Sequence, residues 1–224
     1  MSEVRPLIGV IGGTGALGKA LAVRWARAGY AVILGSRDAR KAQDVAGEVI
    51  AGEAMQLTGS SNVDAAARAG VVIVTVPLGA QEATLAEIKP HVQGKIVIDT
   101  TVPLVPPKVM RVQLPPEGSA AVRAQNLLGE GVRVVSGFHN VAAAKLATDA
   151  VIECDVLVFG DDKAARESAV ALARAAGLRG LHAGVLANSA AAEALTSVLI
   201  FLNKTYEIDG AGVKITGKSK AGMP

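Results

Sequence analysis

An α/β architecture, a doubly wound parallel sheet followed by a smaller C-terminal α/β lobe, is predicted by three observations. Short apolar runs rich in Val and Ile alternate with stretches of helical periodicity. Runs such as Val71 to Val76 are almost wholly apolar, as strands covered by helices on both faces must be. The turn Gly13-Thr14-Gly15-Ala16-Leu17-Gly18 follows the first run and opens the first helix, the junction where such sheets receive a dinucleotide.

Leu7 to Ile11 reads as the first strand and Ala16 to Arg27 as its helix. Between them the glycine spacing is Rossmann-like. Gly13 allows the tight turn, Gly15 lets the backbone approach a pyrophosphate, and Gly18 lets the helix pack on the strand. Thr14, Ala16 and Leu17 complete a loop whose free N–H groups and positive dipole end suit phosphate. Ala31 to Gly35 is the second strand, and the adenosine ribose is expected at its end. An NAD-selective site places a carboxylate there. This chain has Ser36-Arg37, with Arg40 and Lys41 one turn later. A guanidinium forms a planar, charge-assisted contact with a 2′-phosphate, so NADP is the expected cofactor. Asp38 fits as the N-cap of the next helix.

That helix spans Asp38 to Ala51, and Met55 to Thr58 is a candidate third strand. Asn62 to Ala69 is a short helix capped by Ser61 or Asn62. Val71 to Val76 is a central strand stopped by Pro77, and Ala80 to Ile88 is the next helix. Lys95 to Ile98 follows Gly94 as a strand, prolines punctuate a loop from 103 to 116, and Ser119 to Leu128 is helical before the strand Val132 to Ser136. Ligands of such sheets lie beyond the carboxyl ends of the strands. Thr75, Val76 and Pro77 therefore border the adenine-proximal ribose and pyrophosphate, while 99–101 and 136–140 border the nicotinamide. The cofactor domain is expected over 1–138. The lobe over 139–224 holds a helix at Ala142 to Thr148, a strand at Asp155 to Gly160, a helix at Ala164 to Ala176 and a strand at Leu178 to His182. Its last helix runs from an Asn188 cap to about Lys204.

The 224 residues carry a net charge of +3 and 3% aromatics, with no basic stripe interleaved with aromatics, so nucleic acid is not an expected partner. Cys154 is the single cysteine and reads as core filler. His91, His139 and His182 lack metal-ligand spacing, so no metal is expected. The N-terminus does not resemble a secretory signal, and the longest apolar stretch, about Ala194 to Leu202, is too short for a bilayer. A cytoplasmic protein without membrane contact is expected. The stripe Leu195, Val198, Leu199 and Leu202 suits a core or a homodimer contact, and the last residues read as a frayed tail.

Neither Tyr30 nor Tyr206 has a Lys at proton-relay spacing. A carbonyl reductase needs an acid for its developing alkoxide, whereas transfer between two carriers needs mainly alignment. Among NADPH-linked chemistries, hydride exchange with a second carrier fits best. A flavin or ferric reductase and a non-catalytic NADP(H)-sensing module are the alternatives.

Five segments together resemble one family: Ile11 to Gly18, Gly35-Ser36-Arg37, Gly137-Phe138-His139-Asn140, Gly160-Asp161-Asp162 and Ala183-Gly184-Val185-Leu186-Ala187-Asn188-Ser189. The chain is similar over its whole length to the F420-dependent NADP reductases. The resemblance implies reversible hydride transfer between NADP(H) and the 8-hydroxy-5-deazaflavin coenzyme F420, the co-substrate. It implies that Thr14, Ser36, Arg37 and Lys41 hold the 2′-phosphate and adjoining phosphates, and that Pro77 lines the nicotinamide side. The deazaflavin pocket would comprise His139, Asn140, Val141, Ala142, Ala143, Asn188 and Ser189. No catalytic acid is implied; His139 is the one candidate to test. Where the family pattern has a Pro-Ala pair, this chain has Ala142-Ala143. Lys145, Lys204 and Lys214 are available to an anionic deazaflavin side chain.

Overall fold

The apolar runs become the strands of a single sheet, seen in a computed structural model that describes residues 5–51 and 54–218. The strands are β1 (Ile8–Ile11), β2 (Val32–Ser36), β3 (Leu57–Ser61), β4 (Val71–Val74), β5 (Ile96–Asp99), β6 (Arg133–Ser136), β7 (Asp155–Gly160) and β8 (Arg179–Gly184). Their spatial order is β3-β2-β1-β4-β5-β6-β7-β8. Neighbours from β3 to β6 are parallel, β6 pairs antiparallel with β7, and β7 pairs parallel with β8. The chain reverses direction along the sheet between β1 and β4, which opens a crevice at their carboxyl ends.

The helices are α1 (Ala16–Arg27), α2 (Ala39–Ile50), α3 (Asn62–Arg68), α4 (Leu78–Ile88), α5 (Ala120–Leu128), α6 (Ala143–Leu146), α7 (Lys163–Ala175) and α8 (Ser189–Tyr206). Alternate residues of each strand feed two cores. Ile8, Val10, Val71 and Ile73 pack with Leu21, Trp25 and Ala169 on one face. Ile11, Val72, Val74 and Val97 pack with Ala65, Leu85 and Leu128 on the other. That two-sided burial is the physical reason the strand sequences lack polar alternation.

Residues 139–218 add β7 and β8 to the same sheet, so the strands expected of the C-terminal lobe extend the first sheet and do not form one of their own. Backbone pairing continues across the expected boundary because β6 offers a free edge to β7. Arg24 of α1 fastens the two halves. Its guanidinium donates to the carbonyls of Leu146 (2.7 Å), Ala176 (2.8 Å) and Thr148 (2.6 Å), oxygens left open where α6 and α7 end.

Three local readings change. Strand β3 begins at Leu57, two residues later than Met55. Asn188 lies in a short 3₁₀ turn, Leu186–Asn188, and makes no side-chain cap for α8. With that turn, Leu186–Tyr206 is long and apolar enough to cross a membrane by length and composition alone, well beyond the nine-residue run visible in the sequence. One face of α8 nevertheless packs on the fold, burying Ser189, Glu193, Ser197 and Leu199. The tail reading concerns residues that include 219–224, outside the described ones.

Candidate functional site

A cleft of about 570 Å³ opens at the carboxyl ends of β1, β2 and β4. Of the residues expected to hold the cofactor, Thr14, Gly15, Ser36, Arg37, Lys41, Thr75, Val76 and Pro77 line it. Gly13, Ala16, Leu17 and Gly18 support the loop and do not line it. Gly12, Asp38, Asn62, Ala80 and Thr84 complete the walls.

The glycines divide their work differently from the simplest motif reading. The left-handed turn falls on Gly12 (φ 73°), not Gly13. Gly13 is needed for space: a Cβ there would sit 2.7 Å from the Val10 carbonyl oxygen and 2.8 Å from a Leu34 methyl. Gly18 is needed for helix packing, since its Cβ would meet Thr75 Oγ1 at 2.5 Å and Gly13 Cα at 2.9 Å. At Gly15 a Cβ would meet only the Gly12 oxygen, at 3.3 Å, so the space beyond is open to a ligand. Helix α1 starts at Gly15 with no side-chain cap and no acidic residue in its first turn. Its leading N–H groups and dipole are thus available to an anion.

Asn62, like Ala80 and Thr84, is a cleft residue that the sequence does not single out. Its Oδ1 accepts from the Gly12 N–H at 3.1 Å and pins the turn from below. Ser61 already caps α3, accepting from the Asp64 N–H at 3.1 Å. That redundancy was the available signal, because a second cap-type residue beside a filled cap is free for another task.

At the end of β2 a cluster of polar groups faces the cleft. The Asp38 carboxylate caps α2 through the Lys41 N–H (3.2 Å), and the Asp38 N–H donates to Ser36 Oγ (3.2 Å). The Ser36 hydroxyl hydrogen is therefore left to donate outward. Arg37 and Lys41 are exposed at the cleft. Arg40 instead faces Asp44 one turn along (3.3 Å) and is not part of the cleft wall.

Threonines knit the strand ends into one wall. The Thr75 hydroxyl donates to the Ile11 carbonyl (2.8 Å), and Thr100 donates to that of Val74 (2.9 Å). Asp99, almost wholly buried at the end of β5, accepts from the Thr101 N–H (3.0 Å), the Thr101 hydroxyl (2.6 Å) and Gln81 Nε2 (2.6 Å). Burial pushes its carboxyl up to about 6, against the pull of these donors. Glu193 of α8 accepts from the N–H groups of Ala120 (2.6 Å) and Ala121 (3.2 Å) at the start of α5. Burial, with Asp99 nearby, raises it to about 7.

The second-substrate residues divide into inward and outward groups. His139 and Asn140 are buried, Val141 nearly so, Ala142 and Ala143 are half-buried, Asn188 is exposed and Ser189 is fully buried. His139 Nε2 lies 3.2 Å from Ser136 Oγ, its Nδ1 has no partner, and burial lowers its pKa to about 4. A ring held neutral cannot supply a proton as imidazolium at neutral pH. Just before it, Phe138 takes a left-handed φ of 65° and packs edge-on against Trp25. Asn140 Nδ2 donates to the Ala192 carbonyl (2.8 Å) and Thr196 Oγ1 (3.1 Å), joining 139–143 to α8. Ser189 Oγ lies 2.9 Å from Ser119 Oγ. The acidic pair after β7 is structural: Asp161 accepts from the Leu186 N–H (3.0 Å), and Asp162 caps α7 through Ala165 (2.7 Å). Lys145 pairs with Asp209 and Lys214 with Glu153 (2.7 Å), so two of the three candidate lysines already carry counter-ions.

Comparison with known proteins follows the same lines. Residues 7–103 match a family model described as NADP oxidoreductase coenzyme F420-dependent. The chain is 44% identical over 218 residues to an F420-dependent NADP reductase of Methanothermobacter thermautotrophicus, covering 93% of this chain and 94% of that protein. It is 37% identical over 219 residues to the like-named protein of Methanocaldococcus jannaschii, covering 93% and 97%. A crystal structure from Arthrobacter sp. FB24, provisionally described as an F420-dependent NADP reductase, matches with a TM-score of 0.83 at 23% identity. The match covers 95% of this chain and 100% of that one. At that identity the likeness concerns the fold.

Proposed function

The chain belongs to the F420-dependent NADP reductases, and from that membership we propose that it transfers a hydride reversibly between NADP(H) and coenzyme F420. The observation that carries the reading is the cleft, in which an uncapped helix start stands beside Ser36, Arg37 and Lys41. Thr14 and the α1 amides take the pyrophosphate, while Ser36, Arg37 and Lys41 take the 2′-phosphate. Val76 and Pro77 back the nicotinamide. Ala142, Ala143 and Asn188 face the deazaflavin, and the buried His139, Asn140, Val141 and Ser189 hold them from behind.

The two carriers supply the redox chemistry, nicotinamide C4 exchanging a hydride with deazaflavin C5. The chain's task is to hold both at a fixed distance and to exclude water. No side chain needs to protonate a developing alkoxide, and His139, neutral and buried, positions without donating. Mixing the protein with NADPH and oxidised F420 should bleach the deazaflavin's visible absorbance; a folded protein that leaves it unchanged refutes the assignment. An ordinary flavin or ferric chelate offered under the same NADPH should turn over far more slowly.

The same reading assigns a cytoplasmic location and a homodimer. Supporting the dimer, Val198, Phe201 and Tyr206 of α8 are 42%, 49% and 67% exposed, an apolar face that a second copy would cover. Light scattering should give twice the mass of one chain, and Phe201→Glu should halve it.

A further inference from the structure

Resting on the hydride-transfer reading, we propose that Asp99 is a positioning residue: held by Gln81, it controls whether the Thr101 hydroxyl bonds the Val76 carbonyl in the cofactor wall. Thr101 Oγ1 lies 2.6 Å from Asp99 Oδ1 and 3.3 Å from the Val76 oxygen. A hydroxyl has one hydrogen, and the shorter, charge-assisted bond to the carboxylate claims it. The Val76 carbonyl is then left loosely held, directly before Pro77.

Gln81 enforces that state. Its amide N–H₂ faces two acceptors, Asp99 Oδ2 (2.6 Å) and the Ala120 carbonyl (3.0 Å), while its own Oε1 is buried without a donor. Reversing the amide would set oxygen against the Ala120 oxygen, so the orientation presented to Asp99 is always that of a donor. All three donors around Asp99 thus select its ionised form. When Asp99 takes a proton on Oδ1, the new O–H donates to Thr101 Oγ1, and the threonine hydrogen turns to Val76. The wall is drawn in, and the alignment of a ring resting on it changes.

The titratable groups on the surrounding elements are few. Glu193 of α8 faces the same pocket through Ala120, and its charge opposes that of Asp99. Glu82 of α4 pairs with Arg123 of α5 towards the surface, Glu87 of α4 and Lys204 of α8 are exposed, and His139 beyond β6 is buried and neutral.

The test is single-turnover hydride transfer from NADPH to F420 across pH 5 to 8, using the full chain. Wild-type turnover tests the function itself, and the variants test the inference. The wild-type rate should fall below about pH 6. Thr101→Val, nearly the same shape, cannot bond the Val76 carbonyl at any pH, so it should lose this acid limb while keeping the rate at pH 8 and the KM for NADPH within about twofold of wild type. Thr101→Ser should restore the limb. Glu193→Gln, at a group already largely protonated where Asp99 titrates, should leave the limb in place. An active wild type with a Thr101→Val variant that keeps the acid limb overturns the proposal. So does a limb that vanishes in Glu193→Gln, or a variant whose KM rises as much as its rate falls.

Discussion

Replacing Arg37 with alanine tests the interaction proposed to separate NADPH from NADH. The guanidinium is exposed at the cleft rim, and among the described residues no hydrogen bond or ion pair engages it. Its removal therefore leaves no buried group unpaired, and melting should be unchanged within about 0.5 kcal/mol. The loss falls on the ligand. At about 4 Å and water-like screening one pair of unit charges is worth about 1 kcal/mol, and a 2′-phosphate carries nearly two charges. The resulting estimate of about 2 kcal/mol agrees with the usual value for a hydrogen bond to a charged group. At about 1.4 kcal/mol per decade, the KM for NADPH should rise roughly thirtyfold. NADH presents a hydroxyl at that position, so its KM should move less than about twofold.

Initial rates against both nucleotides, with F420 saturating, read the effect directly. The NADPH effect should also shrink as salt rises, since an exposed pair is screened over about 10 Å at 0.1 M ionic strength. Asp38→Asn keeps the α2 cap while deleting a carboxylate at this rim, and should lower the KM for NADPH modestly. Equal rises for both nucleotides in Arg37→Ala, or none for either, would show that the 2′-phosphate lies elsewhere.

Other substitutions test neighbouring parts of the argument. Gly15→Ala should leave stability almost untouched and weaken NADPH binding, whereas Gly18→Ala should lower the melting temperature through its clash with Thr75 and Gly13; equal effects in thermal melts would contradict this division. Asn62→Ala leaves the Gly12 N–H without an acceptor and should cost about 1 to 3 kcal/mol in denaturant titrations, with a weaker hold on NADPH. The buried titrating groups oppose one another. Asp99 and Glu193 have folded pKa values raised to about 6 and about 7, so the stability they contribute is present at low pH and lost as pH rises through those values. His139, lowered to about 4, contributes stability that is lost as pH falls from its ordinary value of 6.5. Between about pH 4.5 and 6 two carboxyls outweigh one imidazole, and stability should fall by about 1 kcal/mol per pH unit. Glu193→Gln should flatten that slope, and an unchanged slope in denaturant titrations would remove Glu193 from the account.

How much of this was legible in the sequence follows from the range of each interaction. The strands and helices of the first 138 residues follow local periodicity, and the phosphate loop lies within one stretch of chain. The left-handed turn was misplaced by one residue because Gly12 and Gly13 are adjacent, and only the approach of Leu34 and Val10 distinguishes the one that turns from the one that must be small. Arg40 looked equivalent to Arg37 because charge is countable in a sequence, while the helical phase that turns it to Asp44 is settled only by where α2 begins.

The least legible parts are those where the chain spends polar groups on contacts far along itself. Asn62 reaches back 50 residues to Gly12, and Glu193 reaches 73 residues to Ala120. In the sequence each looks like an ordinary helix-terminal polar residue. Asp99 follows Ile96, Val97 and Ile98 as though it merely ended a strand, yet it is 1% exposed and collects three donors. A carboxylate is costly to bury, and that cost is offset here only by donors brought from β5's own turn and from α4. The position of such a group carries information that hydropathy discards: it stands where β5 ends, one threonine hydroxyl away from the Val76 carbonyl of the cleft wall. Stability alone would favour an apolar residue there, so its presence argues that the wall must be held by something able to change its bonding.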